Sequence, residues 1–195
     1  MVHFALRVLS CVALLNTGAC FGADAPQPKV DSTMSYAERL VAIDKGLGYI
    51  FTSEALLHYE PFNELASEGA KNIDNCIQFL ATEGYSPELR SMAILSMHNL
   101  SLLDYIEFLR GVARLHDRHL VSTHELSVAI TPGTFSFGML LIENYDRREV
   151  REVLDEIAAR SDVPSTIKSK INNILSGKES EAIKSFKLEC CTPKK

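Results

Sequence analysis

No segment of this 195-residue chain alternates apolar and polar residues between hairpin turns, which excludes a core built on sheets. A G-x-S-x-G elbow, a phosphate-cradling glycine loop and the dinucleotide fingerprint are all missing, so no nucleophile or nucleotide site is written in a motif. No apolar run reaches the ~20 residues that a membrane-spanning helix needs. Basic residues are outnumbered: 20 Lys and Arg face 25 Asp and Glu, for a net charge of -5. Binding to a phosphate backbone needs clustered Lys and Arg, so nucleic acid is set aside as a partner. Tryptophan is absent, aromatics make up 8% of the chain, and no unit recurs at the constant period of a solenoid.

What the sequence does contain is helical periodicity, most clearly from Ser101 to Glu125. Ser101 and Asp104 have the spacing of an N-terminal cap. Leu102, Ile106, Leu109, Val112 and Ala113 recur at three- and four-residue steps and so share one helix face. Asp104, Glu107, Arg110, Arg114 and Asp117 lie mostly off that face. The spacing predicts a central core helix that ends in a cluster of histidines.

The N-terminus has the pattern of a secretory signal peptide over residues 1–22. Arg7 is its positive region, Val8 to Leu15 its short apolar core, and the small residues around Cys20 and Gly22 suit cleavage. Thr17-Gly18-Ala19-Cys20 resembles the lipobox of bacterial lipoproteins, with Thr17 standing where that pattern has Leu or a similar residue. The resemblance implies lipidation at Cys20 and a lipid anchor. Residues 23–34, with Pro26 and Pro28, read as a disordered linker. An all-helical domain over 35–189 and a C-terminal tail over 190–195 complete the division.

Within that domain, Ser35 and Glu38 form a capping-box pair. The helix they open should break near Gly46 and resume at Ser53. One helix is expected from Pro61 to before Gly84, with Phe62, Leu65, Ala66, Ile73, Cys76, Ile77 and Leu80 inward. Ser86-Pro87 starts another. Glu125 to Ile130 makes a short helical segment, and Phe135 to Ile142 reads as a core helix. Asp146 and Glu149 open a helix whose buried stripe is Val150, Val153, Leu154 and Ile157. Pro164 and Gly177 bound the next, and Ser180 to Leu188 forms a last one. The sum is an all-α irregular bundle of antiparallel helical pairs, about seven to nine helices in all, with HEAT-like stacking as a variant.

Three sets of residues carry chemistry. His116, His119 and His124 are the candidate metal ligands, although the spacing lacks the HExxH arrangement, too few ligand types converge, and a polar helix end meeting the helix dipole is the simpler reading. Cys76 could bridge to Cys190 or Cys191 in an oxidising compartment, or could be a small buried hydrophobe. The alternating charges from Asp146 to Arg160, with Arg148 and Glu152 four apart and Arg151 and Asp155 four apart, form a solvated face. Asn99-Leu100-Ser101 is a glycosylation sequon that matters only in a eukaryotic secretory pathway.

These features predict an exported, periplasmic or envelope-associated protein with no catalytic residues and no cofactor. It would bind a protein partner by occlusion, as an inhibitor does, or an immunity protein against an envelope-targeting toxin. The alternative is a metal-binding helical protein that uses the histidine cluster.

Overall fold

The computed structural model describes residues 31, 33–48, 56, 58–131 and 139–181. The proposed signal peptide with Cys20, nearly all of the 23–34 linker, the 132–138 part of the apolar run, the segment after 181 and both Cys190 and Cys191 lie outside the described residues, as does most of the segment expected to resume at Ser53.

Nine helices, a further helical stretch over 178–181 and no strands are found among the described residues, in an all-α bundle. They are α1 (Tyr36–Leu47), α2 (Glu60–Ser67), α3 (Gly69–Ala81), α4 (Pro87–Leu95), α5 (Leu102–Asp117), α6 (Thr123–Ile130), α7 (Leu140–Glu143), α8 (Arg148–Ala158) and α9 (Ser165–Leu175). Their starts follow local chemistry. Ser35 and Glu38 make the full capping box of α1, and the side chains of Ser86 and Ser101 accept from the backbone N–H groups of Leu89 and Asp104. The 16-residue α5 is the hub, packed against α3, α6 and α8, while α4 packs against α1, α3 and α6.

The expected stripes point inward. Ile106, Leu109, Val112 and Ala113 of α5 are buried in one core with Val150, Val153, Leu154 and Ile157 of α8 and Ile167, Ile171 and Ile174 of α9. Gly111 allows the tightest crossing in that core. A Cβ at this position would lie 2.7 Å from Ile77 Cδ1, so only a hydrogen fits between α3 and α5 there.

Several boundaries differ from the sequence expectation: α7 begins only at Leu140, with Met139 of the expected Phe135–Ile142 helix in a turn, and α8 is capped at Arg147 with no side-chain bond rather than opened by Asp146. α1 runs through Gly46 and stops at Gly48, whose φ of 63° is a left-handed conformation that glycine adopts without strain. The single helix expected after Pro61 is two, broken at Glu68. The Glu68 carboxylate is gripped by both terminal nitrogens of Arg39 on α1, at 2.9 and 3.1 Å, and Gly69 leaves room for Leu100 beside the break. α6 starts two residues earlier than expected, on a second capping box made by Ser122 and Glu125.

Buried helix ends are satisfied by side chains from elsewhere in the chain. The Ala93 carbonyl, one of the last of α4, accepts from Tyr36 Oη on α1 (3.2 Å), Cys76 Sγ on α3 (3.4 Å) and Ser96 Oγ (2.8 Å). Tyr105 Oη donates to Ala129 O near the end of α6 at 2.6 Å. Arg90 does most of this work. Its Nε pairs with Glu125 Oε1, Nη1 donates to Thr82 O (3.1 Å) at the end of α3, and Nη2 donates to Leu120 O (2.5 Å) in the α5–α6 turn.

Removing one partner of a buried ion pair strands the other charge, at a cost of about 3 kcal/mol. Glu125→Gln should therefore destabilise the fold by roughly that much in chemical denaturation. Burial opposes ionisation of Glu125, but the Ser122 backbone N–H, Arg90 and the Ser122 hydroxyl together hold its carboxyl below the usual range. A depressed folded-state value means stability that is present above the unfolded value of ~4.3 and lost as pH falls below it. Denaturation midpoints of the parent chain should drop across that window, and the drop should be shallower in Glu125→Gln.

Candidate functional site

The histidines sit where α5 ends. Arg118 is the C-cap, His119 adopts φ 59°, the Leu120 N–H reaches Leu115 O at 3.0 Å, and the His119 N–H reaches His116 O at 2.9 Å. This is a Schellman turn with histidine in the left-handed position that glycine usually takes. It satisfies orphan carbonyls of α5 and turns the chain into α6.

The three histidines are not equivalent. His116 is buried, with Nδ1 3.0 Å from Asp162 Oδ2 and Nε2 3.4 Å from Thr123 Oγ1. A carboxylate only accepts, so Nδ1 carries the proton. Asp162 is in turn held by Arg160 (Nε to Oδ1, 3.2 Å), and that bond first, with His116 assisting, keeps its carboxyl below the usual range. His119 and His124 are exposed. Among the described residues, no group of three or more His, Cys, Asp or Glu side chains is placed to hold a metal ion. The expected His116/His119/His124 ligand set is therefore not assembled: His116 has both ring nitrogens engaged, and the turn directs His119 by its backbone rather than toward a shared centre.

Two further arrangements resemble acyl-transfer machinery and lack its geometry. Thr123, His116 and Asp162 run in the order hydroxyl, imidazole, carboxylate, but the Thr123–His116 separation of 3.4 Å exceeds the ~2.6–3.2 Å of a proton-transfer pair. None of the grooves described below is lined by Thr123. Lys170 Nζ donates to Ser127 Oγ at 2.9 Å, and burial lowers the Lys170 pKa. Ser127 lies inside α6, where backbone N–H groups are committed to the helix and cannot serve a developing oxyanion. Both arrangements tie separate elements of the bundle together: α5, the first residue of α6 and the turn after α8 in one case, α6 and α9 in the other.

Cys76 is a free thiol at 0% exposure. Burial pushes its pKa up to about 12. Its bond to Ala93 O and its place in the core suit the buried-hydrophobe reading; the proposed bridge partners, Cys190 and Cys191, are outside the described residues.

The outer face of α5 is the most featured surface. Leu103, 58% exposed, is the one exposed large hydrophobic side chain among the described residues. Glu107, Arg110, Arg114 and Arg118 follow it at three- and four-residue steps. On one side of this row, toward α3, lies a groove of about 560 Å³ floored by Ile73, Ile77 and Leu115 and rimmed by Asp74, Arg114 and Arg118. On the other side, toward α8, a groove of about 210 Å³ runs between Arg110, Arg114, Glu156 and Arg160. Arg110 is held by Glu107 (2.6 Å) and Glu156 (3.1 Å), and Arg160 by Asp117 (3.0 Å) and Asp162. Arg114, which lines both grooves, and Arg118 form no ion pair among the described residues. On α8 the expected Arg148–Glu152 pair is present at 3.4 Å, whereas Arg151 reaches Leu175 O at 3.3 Å rather than Asp155.

No family model, curated protein or solved structure matches this chain. Function has to be argued from the surface itself.

Sequence spacing pointed to the histidines and passed over Arg90, Asp162 and Arg114. The Ser122–Glu125 capping box was there to be read; the partners of His116 and Arg90, separated from them by 46 and 35 residues, were not.

His116→Gln should lower folding stability by about 1–2 kcal/mol, since it removes a buried hydrogen bond to a charged group, whereas His124→Gln should change it by less than about 0.5 kcal/mol. Urea titration of the two variants distinguishes a structural strut from two equivalent surface residues. Cys76 should resist iodoacetamide in the native protein and react once in denaturant, as intact mass will show. A Cys76 peptide found cross-linked in the non-reduced native protein would overturn the buried-thiol reading.

Proposed function

We propose that this is an exported, envelope-associated protein that binds a protein partner through the outer face of α5 and acts by occluding it, as an inhibitor or immunity protein does. The carrying observation is Arg114, which lines two grooves and forms no ion pair among the described residues. Desolvating a guanidinium that already has a partner gains little. An unpaired one flanked by an apolar floor supplies the charge, the stem and the pocket that concentrate binding energy at protein interfaces. Exposed Leu103 adds an apolar contact about three turns away on the same helix. The signal-like residues 1–22 support export, and the lipobox-like Cys20 supports an anchor. No helix among the described residues is long and apolar enough to cross a membrane.

An affinity capture from envelope extract, with the parent chain and Arg114→Glu as paired baits, tests this. The parent should retain a stoichiometric protein whose own activity stops on binding. Arg114→Glu should weaken that complex by at least about tenfold, equivalent to ~1.4 kcal/mol, while its melting curve stays unchanged. Equal retention by both baits would exclude the α5 face. A preparation with no stoichiometric partner would exclude the function.

A further inference from the structure

α1 has two apolar faces, and the fold uses one. Tyr36, Leu40 and Ile43 are buried in the core. On the opposite side Met34, Ala37 and Val41 line an open groove of about 440 Å³, closed at one wall by Tyr85 and bounded by Glu38 and Lys45. That wall is rigid, because the Tyr85 ring stacks on Phe79 with centroids 4.0 Å apart.

We propose that this groove is a self-association surface, in which α1 of a second copy lies antiparallel across it about a two-fold axis between Val41 and Ala42. Charge register selects this arrangement. Glu38 and Lys45 lie seven residues, or ~10.5 Å, apart along the helix. They are equidistant from that axis, so a two-fold puts each copy's Glu38 opposite the other's Lys45, giving two identical ion pairs from one self-complementary strip. Parallel packing would instead set Glu38 on Glu38. Both groups are available for this. Lys45 is exposed and makes no ion pair among the described residues, and Glu38 uses only Oε2 for the Ser35 cap, leaving Oε1 free. The centre of the strip, Ala37, Val41 and Ala42, is small enough for helix axes to approach closely. Antiparallel dipoles add to the pairing. A single helix pair makes a small interface, so the dimer is weak and concentration-dependent.

The interface is separate from the α5 face and does not depend on the function proposed for it. Sedimentation equilibrium of the purified chain, over a wide concentration range, should show reversible dimerisation that weakens as salt is raised. Lys45→Glu places acid against acid twice and should raise the dissociation constant at least about tenfold. Val41→Arg, which leaves the α1 cap untouched, sets two like charges on the axis and should do the same. The decisive arm is mixing. Lys45→Glu and Glu38→Lys should each self-associate poorly, yet together form a heterodimer in which both pairs are restored in reverse. Circular dichroism of Glu38→Lys checks that α1 survives loss of its cap. A chain that stays monomeric at every concentration overturns the proposal. So does an association that salt strengthens, or that neither Lys45→Glu nor Val41→Arg weakens.

Discussion

A bundle of short helices has to satisfy many helix ends, and in this protein that requirement falls hardest on Arg90. Each helix leaves carbonyls at its C-terminus without a partner in the same helix. When helices are only four to sixteen residues long, those ends cannot all reach solvent, because the core is never far away. Arg90 answers for two of them at once. Its three nitrogen groups contact the end of α3, the turn after α5 and the first turn of α6, so one guanidinium fixes how four elements meet. Its charge is balanced by Glu125, which already serves as the capping-box residue of α6. A hydrocarbon side chain in its place would fill the volume but leave the part-buried Leu120 carbonyl and the buried Glu125 carboxylate without this partner, which is why a buried ion pair is tolerable here although such pairs are often no better than apolar packing.

The same constraint explains the smaller polar contacts. Ala93 O, in the last turn of α4, draws in a phenol from α1, a thiol from α3 and a hydroxyl from its own chain. Tyr105 closes the end of α6 from α5. Burial raises the pKa of Tyr36, with neighbouring Cys76 adding to the effect, so the phenol remains a donor across the physiological range. The Cys76 thiol is held protonated by the same burial. A protonated thiol is a weak donor and a poor nucleophile, so the chemistry that makes Cys76 useful to Ala93 also makes it inert.

The helical stripes and the serine caps could be read from the sequence because they depend on residues within four positions of each other. Periodicity placed Ile106, Leu109 and Val112 on the inner face of α5, and the core confirms them. Ser35, Ser86 and Ser101 were likewise local signals. What escaped depends on distant partners. Gly69, next to Glu68, was the one local hint of a break; the pairing of Glu68 with Arg39, 29 residues earlier, had no local signature. His119 in a left-handed turn has no sequence signature, since histidine is an uncommon choice where glycine is usual. The histidine cluster drew attention for its residue types, but proximity in sequence at a helix end is not convergence in space. His116 turns inward to Asp162, and the next two imidazoles remain in solvent.

These internal demands also decide which surfaces remain available. Arginines whose guanidinium groups are committed inside the fold, Arg39 and Arg90, cannot be offered to a ligand. Arg110 and Arg160 are tied to acids between α5 and α8, and those ties hold the walls of the smaller groove in place. Arg114, one turn after Arg110 on α5, has no such tie among the described residues. The frame around Arg114 is held in place by these ties, so a partner meeting this face orders and desolvates the Arg114 side chain alone and not its surroundings as well. α1 follows the same logic: its inner face is consumed by the core, its cap uses one oxygen of Glu38, and what remains is a short strip whose two unspent charges are equally far from its centre.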